Sequence, residues 1–341
     1  MKTIFYLLSV GFILLYSCQQ PNNEQEATSQ AESASVIEDY TITNLYDAFG
    51  KTNGVLTKDF GFSALIKYKG KLILFDAGTN ADILKKNVAA LGIDLSTIDI
   101  AIGSHAHGDH LNGFDYLLKV NPNVKIYLPF DFYIGANISF NIEGKEKAIK
   151  DSLPQEMLYF AGEENLNLTI NQTGRFWNAN VEYINENTEL EQGIRLIFTR
   201  SPYLGYASKY PSVAEMEGFG ATDNQRDNDE VKFAGLPELS LSLATEEGEA
   251  LVVGCSHSSV QKIIREVKEF THKEINLLYG GYHMLPYGRI EINTIALQLK
   301  NEYGVKKIAP AHCTGHLAFK ILKDTYGEDY IFAGLGERIK M

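Results

Sequence analysis

Cysteine is scarce in this chain: three residues in 341, at positions 18, 255 and 313. That excludes a disulfide framework, although an exported chain could still pair Cys255 with Cys313. A surplus of positive charge is also missing. Lys and Arg number 31 against 43 Asp and Glu, for a formal net charge of −12. Binding a nucleic-acid backbone calls for the opposite balance, so nucleic acid is not expected as a partner. No G-x-S-x-G elbow occurs, which removes the usual signature of a serine hydrolase, and there is no flavin-domain signature. What is present, 45% hydrophobic residues over this length, suffices for one large domain or two modest ones.

The longest apolar run at the amino terminus, from Ile4 to Tyr16 after a basic Lys2, is short for a membrane-spanning helix and fits an export signal. Its ending, "LYSC", is similar to a bacterial lipobox, in which Cys18 becomes the lipidated first residue of the mature chain. The other reading is an uncleaved anchor, and both export the protein. Residues 19–38 are polar and free of aromatics, so they cannot bury enough apolar surface to offset their ordering entropy. The expected organisation is a lipoprotein signal over 1–18, a flexible tether over 19–38, and a catalytic domain over 39–341. The expected location is membrane-anchored, on the periplasmic or cell-surface side.

From Tyr40 onward, strand and helix patterns succeed one another. "TITNLYDAF", "FSALIKY", "KLILFDAG" and "TIDIAIGS" read as strands, with a helix at "ADILKKNVAALG" closed by Gly92. A short helix at "NGFDYLLKV" precedes a strand at "VKIYLP". Residues 130–190 show scattered aromatics without clear period and read as an insertion or long loop region. Specificity is expected within 130–235, where Trp177 and its aromatic neighbours could form an apolar wall. The second half gives strands at "GIRLIFTR", "ELSLSLAT", "EALVVGCS", "EINLLYG" and "VKKIAPAH", with helices at "SVQKIIREVKEF" and "NTIALQLKNEYG". Two such halves imply an α/β fold, a four-layer αββα sandwich with two sheets packed face to face.

Three of the eight histidines fall within "SHAHGDH", residues 104–110, at the carboxyl end of an expected strand. Ligands of α/β folds gather at such ends. Alternation puts His105 and His107 on the same side, so both imidazoles can reach one cation, and Asp109 and His110 can serve a second beside it. His257 and His312 each follow an apolar strand, as His105 does, and would converge with it if those strands share an edge. His283, in "YGGYHM", occupies a glycine-flanked loop that could approach the same edge. His272 closes a helix, where a cation complements the dipole, and His316 is assigned to the surface or to a supporting position. Cys255 and Cys313 read as small side chains packed beneath the loop.

"HAHGDH" after a strand, with "LILFDAG" before it, resembles the H-x-H-x-D-H metal motif of the metallo-β-lactamase superfamily. "VVGCSH", "GGYHM" and "APAHCTG" are similar to the branch of 7,8-dihydropterin-6-yl-methyl-4-(β-D-ribofuranosyl)aminobenzene 5′-phosphate synthases and their hydrolase relatives. This resemblance covers most of residues 40–341. It implies a first site of His105, His107 and His257, a second of Asp109, His110 and His312, and an Asp76-Ala77-Gly78 turn that orders the loop. The chain departs from the superfamily in having "VVGCSH" where Gly-Asp is expected, so no bridging carboxylate is assigned. Glu238 resembles an acidic position of the narrower branch.

The implied function is a metal-dependent hydrolase with two divalent cations, zinc by default and iron or manganese as alternatives, acting on an ester, lactone or phosphoester of a small molecule. Asp109 would orient the attacking water, and His283 would stabilise charge or protonate the leaving group. Two alternatives keep the metals. One is a transferase joining a dihydropterin to a ribofuranosylaminobenzene phosphate, which sits awkwardly with export. The other is a metal-binding lipoprotein without catalysis, against which three ligands per site leave room for water. A di-iron oxidoreductase is a further possibility for the fold.

Overall fold

The computed structural model describes residues 40–51, 54–131, 134–135, 138–142, 166–170, 176, 179–201, 236–285 and 287–341. The expected signal with Cys18, the tether, Trp177 and residues 202–235 lie outside the described residues.

Strands β1 (Thr41–Tyr46), β2 (Ser63–Tyr68) and β3 (Lys71–Phe75) pair antiparallel in succession. In β2, Ala64, Ile66 and Tyr68 face one core and Leu65 faces another, so period-two alternation buries both faces of the sheet. Helix α1 (Ala81–Ala90) starts at Asn80, whose side chain accepts from the backbone of Asp82 and Ile83, and it ends where Gly92 takes φ +67°. Strand β4 (Ile100–Ile102) pairs parallel with β3; helices α2 (Gly108–Leu111) and α3 (Phe114–Val120) and strand β5 (Lys125–Pro129) follow, with β5 parallel to β4.

The stretch expected to be irregular contains regular strands. β6 (Ile138–Ile142) and β7 (Leu166–Ile170) form a separate antiparallel pair, and β8 (Asn180–Ile184) adds to β5 at the edge of the first sheet. β9 (Thr188–Glu191) then opens the second sheet, followed by β10 (Ile194–Arg200), β11 (Pro237–Thr245) and β12 (Gly248–Val253). After helix α4 (Val260–Thr271) come β13 (Ile275–Gly281), helix α5 (Arg289–Leu297), β14 (Lys307–Ala311), helix α6 (His316–Tyr326) and β15 (Arg338–Lys340). Helix α5 begins four residues before the expected "NTIALQLKNEYG" and passes into a π-turn over 298–302.

The first sheet has the order β15-β1-β2-β3-β4-β5-β8 and the second β14-β13-β12-β11-β10-β9. Leu239, Leu241 and Leu243 of β11 meet Ile66, Ile73 and Phe75 in the core between the sheets. Helices α1 and α3 cover the outer face of the first sheet, and α4, α5 and α6 that of the second. In α4, Val260, Ile263, Ile264 and Val267 form the stripe expected from spacing, each gaining roughly 2 kcal/mol on burial. The architecture is thus the expected αββα sandwich, and residues 39–341 gather into one compact unit. Among the described residues no helix is long and apolar enough to cross a membrane.

Candidate metal centre

Strands β3, β4 and β5 run parallel, as do β12, β13 and β14, and the loops leaving their carboxyl ends carry the chemistry. Asp76 follows β3, Ser104 and His105 follow β4, Cys255 and His257 follow β12, His283 follows β13 and His312 follows β14. The two edges are stitched together. Leu239 NH donates to the Ser104 carbonyl at 2.7 Å, and His312 NH to Asp47 Oδ2 at 3.1 Å.

The first cluster is His105, His107 and His257. His105 Nε2 lies 3.1 Å from His107 Nδ1 and 3.2 Å from His257 Nε2. One imidazole nitrogen carries either a proton or a lone pair and serves one in-plane hydrogen bond, yet two nitrogens crowd this one. Ligands 2.0–2.1 Å from a tetrahedral ion stand about 3.3 Å apart, which is close to both separations. The tautomer agrees. Ser104 Oγ gives its proton to Asp76 Oδ2 at 2.8 Å, so at 2.8 Å from His105 Nδ1 it accepts, leaving His105 Nε2 as a lone pair facing the cluster.

The second cluster groups Asp109, His110 and His312 with Cys255. Asp109 Oδ2 is 3.5 Å from His110 Nε2 and 3.4 Å from His312 Nε2, and His110 Nε2 is 3.1 Å from Cys255 Sγ. On its other side, His110 Nδ1 is 2.6 Å from Asp76 Oδ2, which again turns the free nitrogen inward. Neither ring nitrogen of buried His312 makes a hydrogen bond among the described residues. The donor set of imidazoles, a carboxylate and a thiol fits divalent cations of the zinc type.

Electrostatics sort the two clusters. Burial, reinforced by the neighbouring imidazoles, holds His105 and His257 well below the ordinary histidine range and His107 down to about 4. These three are neutral ligands at pH 7. Burial alone would lower His110 too, but the carboxylates of Asp76 and Asp109 outweigh it and raise it to about 9. Burial likewise works to raise Asp109, and the imidazoles of His110, His312 and His107 overcome it, keeping the carboxyl ionised below its usual range. In the metal-free protein a proton on His110 thus stands where a cation can replace it.

Backbone strain marks the same edge. Asp76, Ser256, His283 and His312 have φ between 48° and 60° without being glycine, at a cost of about 1–2 kcal/mol each. The Asp76-Ala77-Gly78 turn docks on the histidine loop through Ala77 NH to the His110 carbonyl, 2.7 Å, and Gly113 NH to the Gly78 carbonyl, 3.0 Å. A Cβ on Gly113 would lie 1.8 Å from the Ala77 carbonyl oxygen, so only glycine allows this approach.

The histidines and acidic residues named from sequence can now be located. His105, His107 and His257 meet in one cluster, Asp109, His110 and His312 in the other, and the His283 ring stands 4.4 Å from that of His257. His272 caps the end of α4 and His316 opens α6, both exposed and in neither cluster. Glu238 touches neither cluster as a ligand. Its two oxygens accept from His257 NH and Ser258 NH, each at 2.9 Å, and so hold the loop that carries His257. Sequence reasoning did not single out Asp47 or Ser104, which act through hydrogen bonds. It read Cys255 as packing, whereas its sulfur joins the second cluster and, with His283 and Cys313, a third group.

The family model of the metallo-β-lactamase superfamily matches residues 56–173, which contain the histidine loop. A crystal structure of a metal-dependent hydrolase of the β-lactamase superfamily superposes with a TM-score of 0.60 at 22% identity, over 89% of this chain and 99% of that one. The fold is therefore that of the metallo-β-lactamase superfamily. The chain is 27% identical to a 7,8-dihydropterin-6-methyl-4-(β-D-ribofuranosyl)-aminobenzene-5′-phosphate synthase of Methanocaldococcus jannaschii, over 89% of this chain and 97% of the relative. A second, uncharacterised protein of that organism is also 27% identical, over 82% of this chain and 92% of its own length.

Proposed function

We propose that the chain is a metal-dependent hydrolase of a small ester, lactone or phosphoester. His105, His107 and His257 hold one divalent cation, and Asp109, His110 and His312 hold a second. The observation that carries this reading is the crowding of two imidazole nitrogens against His105 Nε2. Bound there, divalent cations supply an activated water at neutral pH and polarise the substrate's oxygen.

The chain's own residues supply the rest. Asp109, held ionised, orients the attacking water through its carboxylate. His283, half-buried at the rim beside His257, hands a proton to the leaving group. Asp76 and Ser104 fix which nitrogen of His110 and His105 faces inward. Phe60, half exposed with its ring 5.0 Å from that of His312, offers an apolar surface beside the centre for a substrate's hydrocarbon part.

The named relative favours a second reading, transfer between a dihydropterin and a ribofuranosylaminobenzene phosphate. Export through the amino-terminal segment, with Cys18 lipidated and the protein held at a membrane, supports hydrolysis instead, because phosphorylated pterin precursors are cytoplasmic. A panel of nitrophenyl esters, lactones and phosphodiesters, with a chelator control, tests this. Turnover that falls with chelator and with His105→Ala is expected. If all are inert while the pterin and aminobenzene substrates are joined, the second reading replaces the first. Metal uptake without either reaction leaves the non-catalytic metal-binding protein.

A further inference from the structure

His312 is held differently from the imidazoles of the histidine loop. Ser104 and Asp76 fix the rings of His105 and His110 through their Nδ1 atoms, whereas neither ring nitrogen of His312 has a hydrogen-bond partner among the described residues. A histidine ligand ordinarily has its outward ring nitrogen fixed by a carboxylate, a carbonyl or a water, so another contact must aim this ring. The hold is on its backbone. His312 takes φ 48° directly after β14, and its NH donates to Asp47 Oδ2 at 3.1 Å, across 265 residues of chain and from one sheet to the other. Asp47 follows β1 and is fully buried. Its Oδ2 also accepts from Asn44 Nδ2 at 3.0 Å and its Oδ1 from Phe49 NH at 3.3 Å, and no Lys or Arg among the described residues pairs with it. Asn44 Nδ2 donates as well to the Ala333 carbonyl at 2.9 Å, which keeps the carboxyl group from swinging. A carboxyl group sealed from water costs free energy unless it is hydrogen-bonded, and one of these bonds goes to the backbone of a candidate ligand.

We infer that Asp47 is the positioning residue of His312, fastening the second cluster to the first sheet through the main chain. This rests on the reading that the clusters hold cations. Asp109 and His110 ride on the loop after β4 of the first sheet, and His312 follows β14 of the second, so the second cluster spans the gap between the sheets. The bond from His312 NH to Asp47 fixes the distance across that gap. The first cluster spans the same gap between the histidine loop and His257, but its tie is a different one, Leu239 NH to the Ser104 carbonyl at 2.7 Å. Loss of the Asp47 carboxyl group is therefore felt at the second cluster and not at the first.

Zinc titration of the full chain against a competing chelator tests this, the second-cluster equivalent being the one that His312→Ala removes. Asp47→Ala should weaken that equivalent about 10- to 100-fold and leave the other within about threefold of the parent. Asp47→Asn keeps an oxygen for the His312 NH and should recover most of the loss. Asn87→Ala controls for plain destabilisation. Asn87 is fully buried, ties α1 to the Leu45 and Thr57 carbonyls at 3.1 and 3.0 Å, and belongs to neither cluster, so its loss should lower the melting temperature with both equivalents unchanged. An Asp47→Ala variant that binds both ions like the parent, or weakens both alike, overturns this inference alone. So does an Asp47→Asn variant without recovery, or an equal loss in Asn87→Ala. A parent that binds no zinc overturns this inference and the hydrolase reading together, whereas a parent that binds both ions but turns over no substrate overturns only the hydrolase reading. Should Asp47→Ala not fold, Asp47→Ser, whose hydroxyl is too short to reach the His312 NH, decides in its place.

Discussion

Asp76 Oδ2 lies 2.6 Å from His110 Nδ1, and Asp76 Oδ1 accepts the Ser104 NH at 2.7 Å. One carboxylate at the end of β3 thereby holds both the first residue of the histidine loop and a ligand of the second cluster. Asp76→Asn keeps the shape but can present an amide NH where His110 needs an acceptor. Affinity for the second cation should fall roughly 10- to 100-fold, the usual effect of losing a carboxylate behind a histidine ligand. A competitive chelator titration checks this.

The two clusters should respond differently to pH. His110 in the metal-free protein is raised to about 9, above its ordinary value near 6.5, so cation binding there must displace a proton. Affinity at the second cluster should drop by about tenfold per pH unit below 9, while the first, with His107 near 4, stays nearly flat down to about pH 5. Zinc titrations at pH 8 and pH 6 should show one class of site weakening and one unchanged; parallel weakening would contradict the assignment.

The same shift affects folding of the metal-free protein. Because the folded pKa of His110 is raised, protonation stabilises the fold; that contribution is complete below about 6.5 and disappears as pH rises through about 9. Melting temperature without metal should fall between pH 7 and pH 10. With zinc bound, the cation stands in for the proton and this decline should be absent, as differential scanning fluorimetry would reveal.

Glu238 is fully buried, and its two oxygens accept from the backbone NH groups of His257 and Ser258. Truncation in Glu238→Ala leaves both donors unpaired, at about 2–5 kcal/mol in denaturant unfolding. Glu238→Gln retains one acceptor and should cost less. If the alanine variant were as stable as the parent, the carboxylate would not be what holds the His257 loop.

His105, His107, Asp109 and His110 were legible because the chemistry is local: four donors in six residues at a strand's end. His257 is 152 residues from His105, yet it too could be located, since a histidine directly after an apolar strand lands on the same edge once the strands run parallel. Cys255 could not be distinguished in the same way. A cysteine ending an apolar strand has the sequence context of a packed core residue, and it is the approach of β12 to the histidine loop that brings its sulfur to His110. Asp47 and Ser104 stayed hidden because they touch the clusters through hydrogen bonds that no spacing encodes. Among the elements, β9 is "TELE", whose single apolar residue, Leu190, is too little alternation to mark a strand. Helix α6 has a buried stripe of Ala318, Ile321 and Leu322, but begins at Gly315 without a side-chain cap.

His272 and His316 supply an internal comparison. Both are exposed and in neither cluster, so His272→Ala and His316→Ala should leave metal content and turnover within error of the parent. Loss of a cation in either would place a ligand outside the clusters.

Metal stoichiometry tests the central claim most directly. The full chain, purified without chelator and offered zinc, iron and manganese in turn, should retain about two ions by mass spectrometry, and His257→Ala and His312→Ala should each lose about one. A folded parent that retains none of the three would contradict the account.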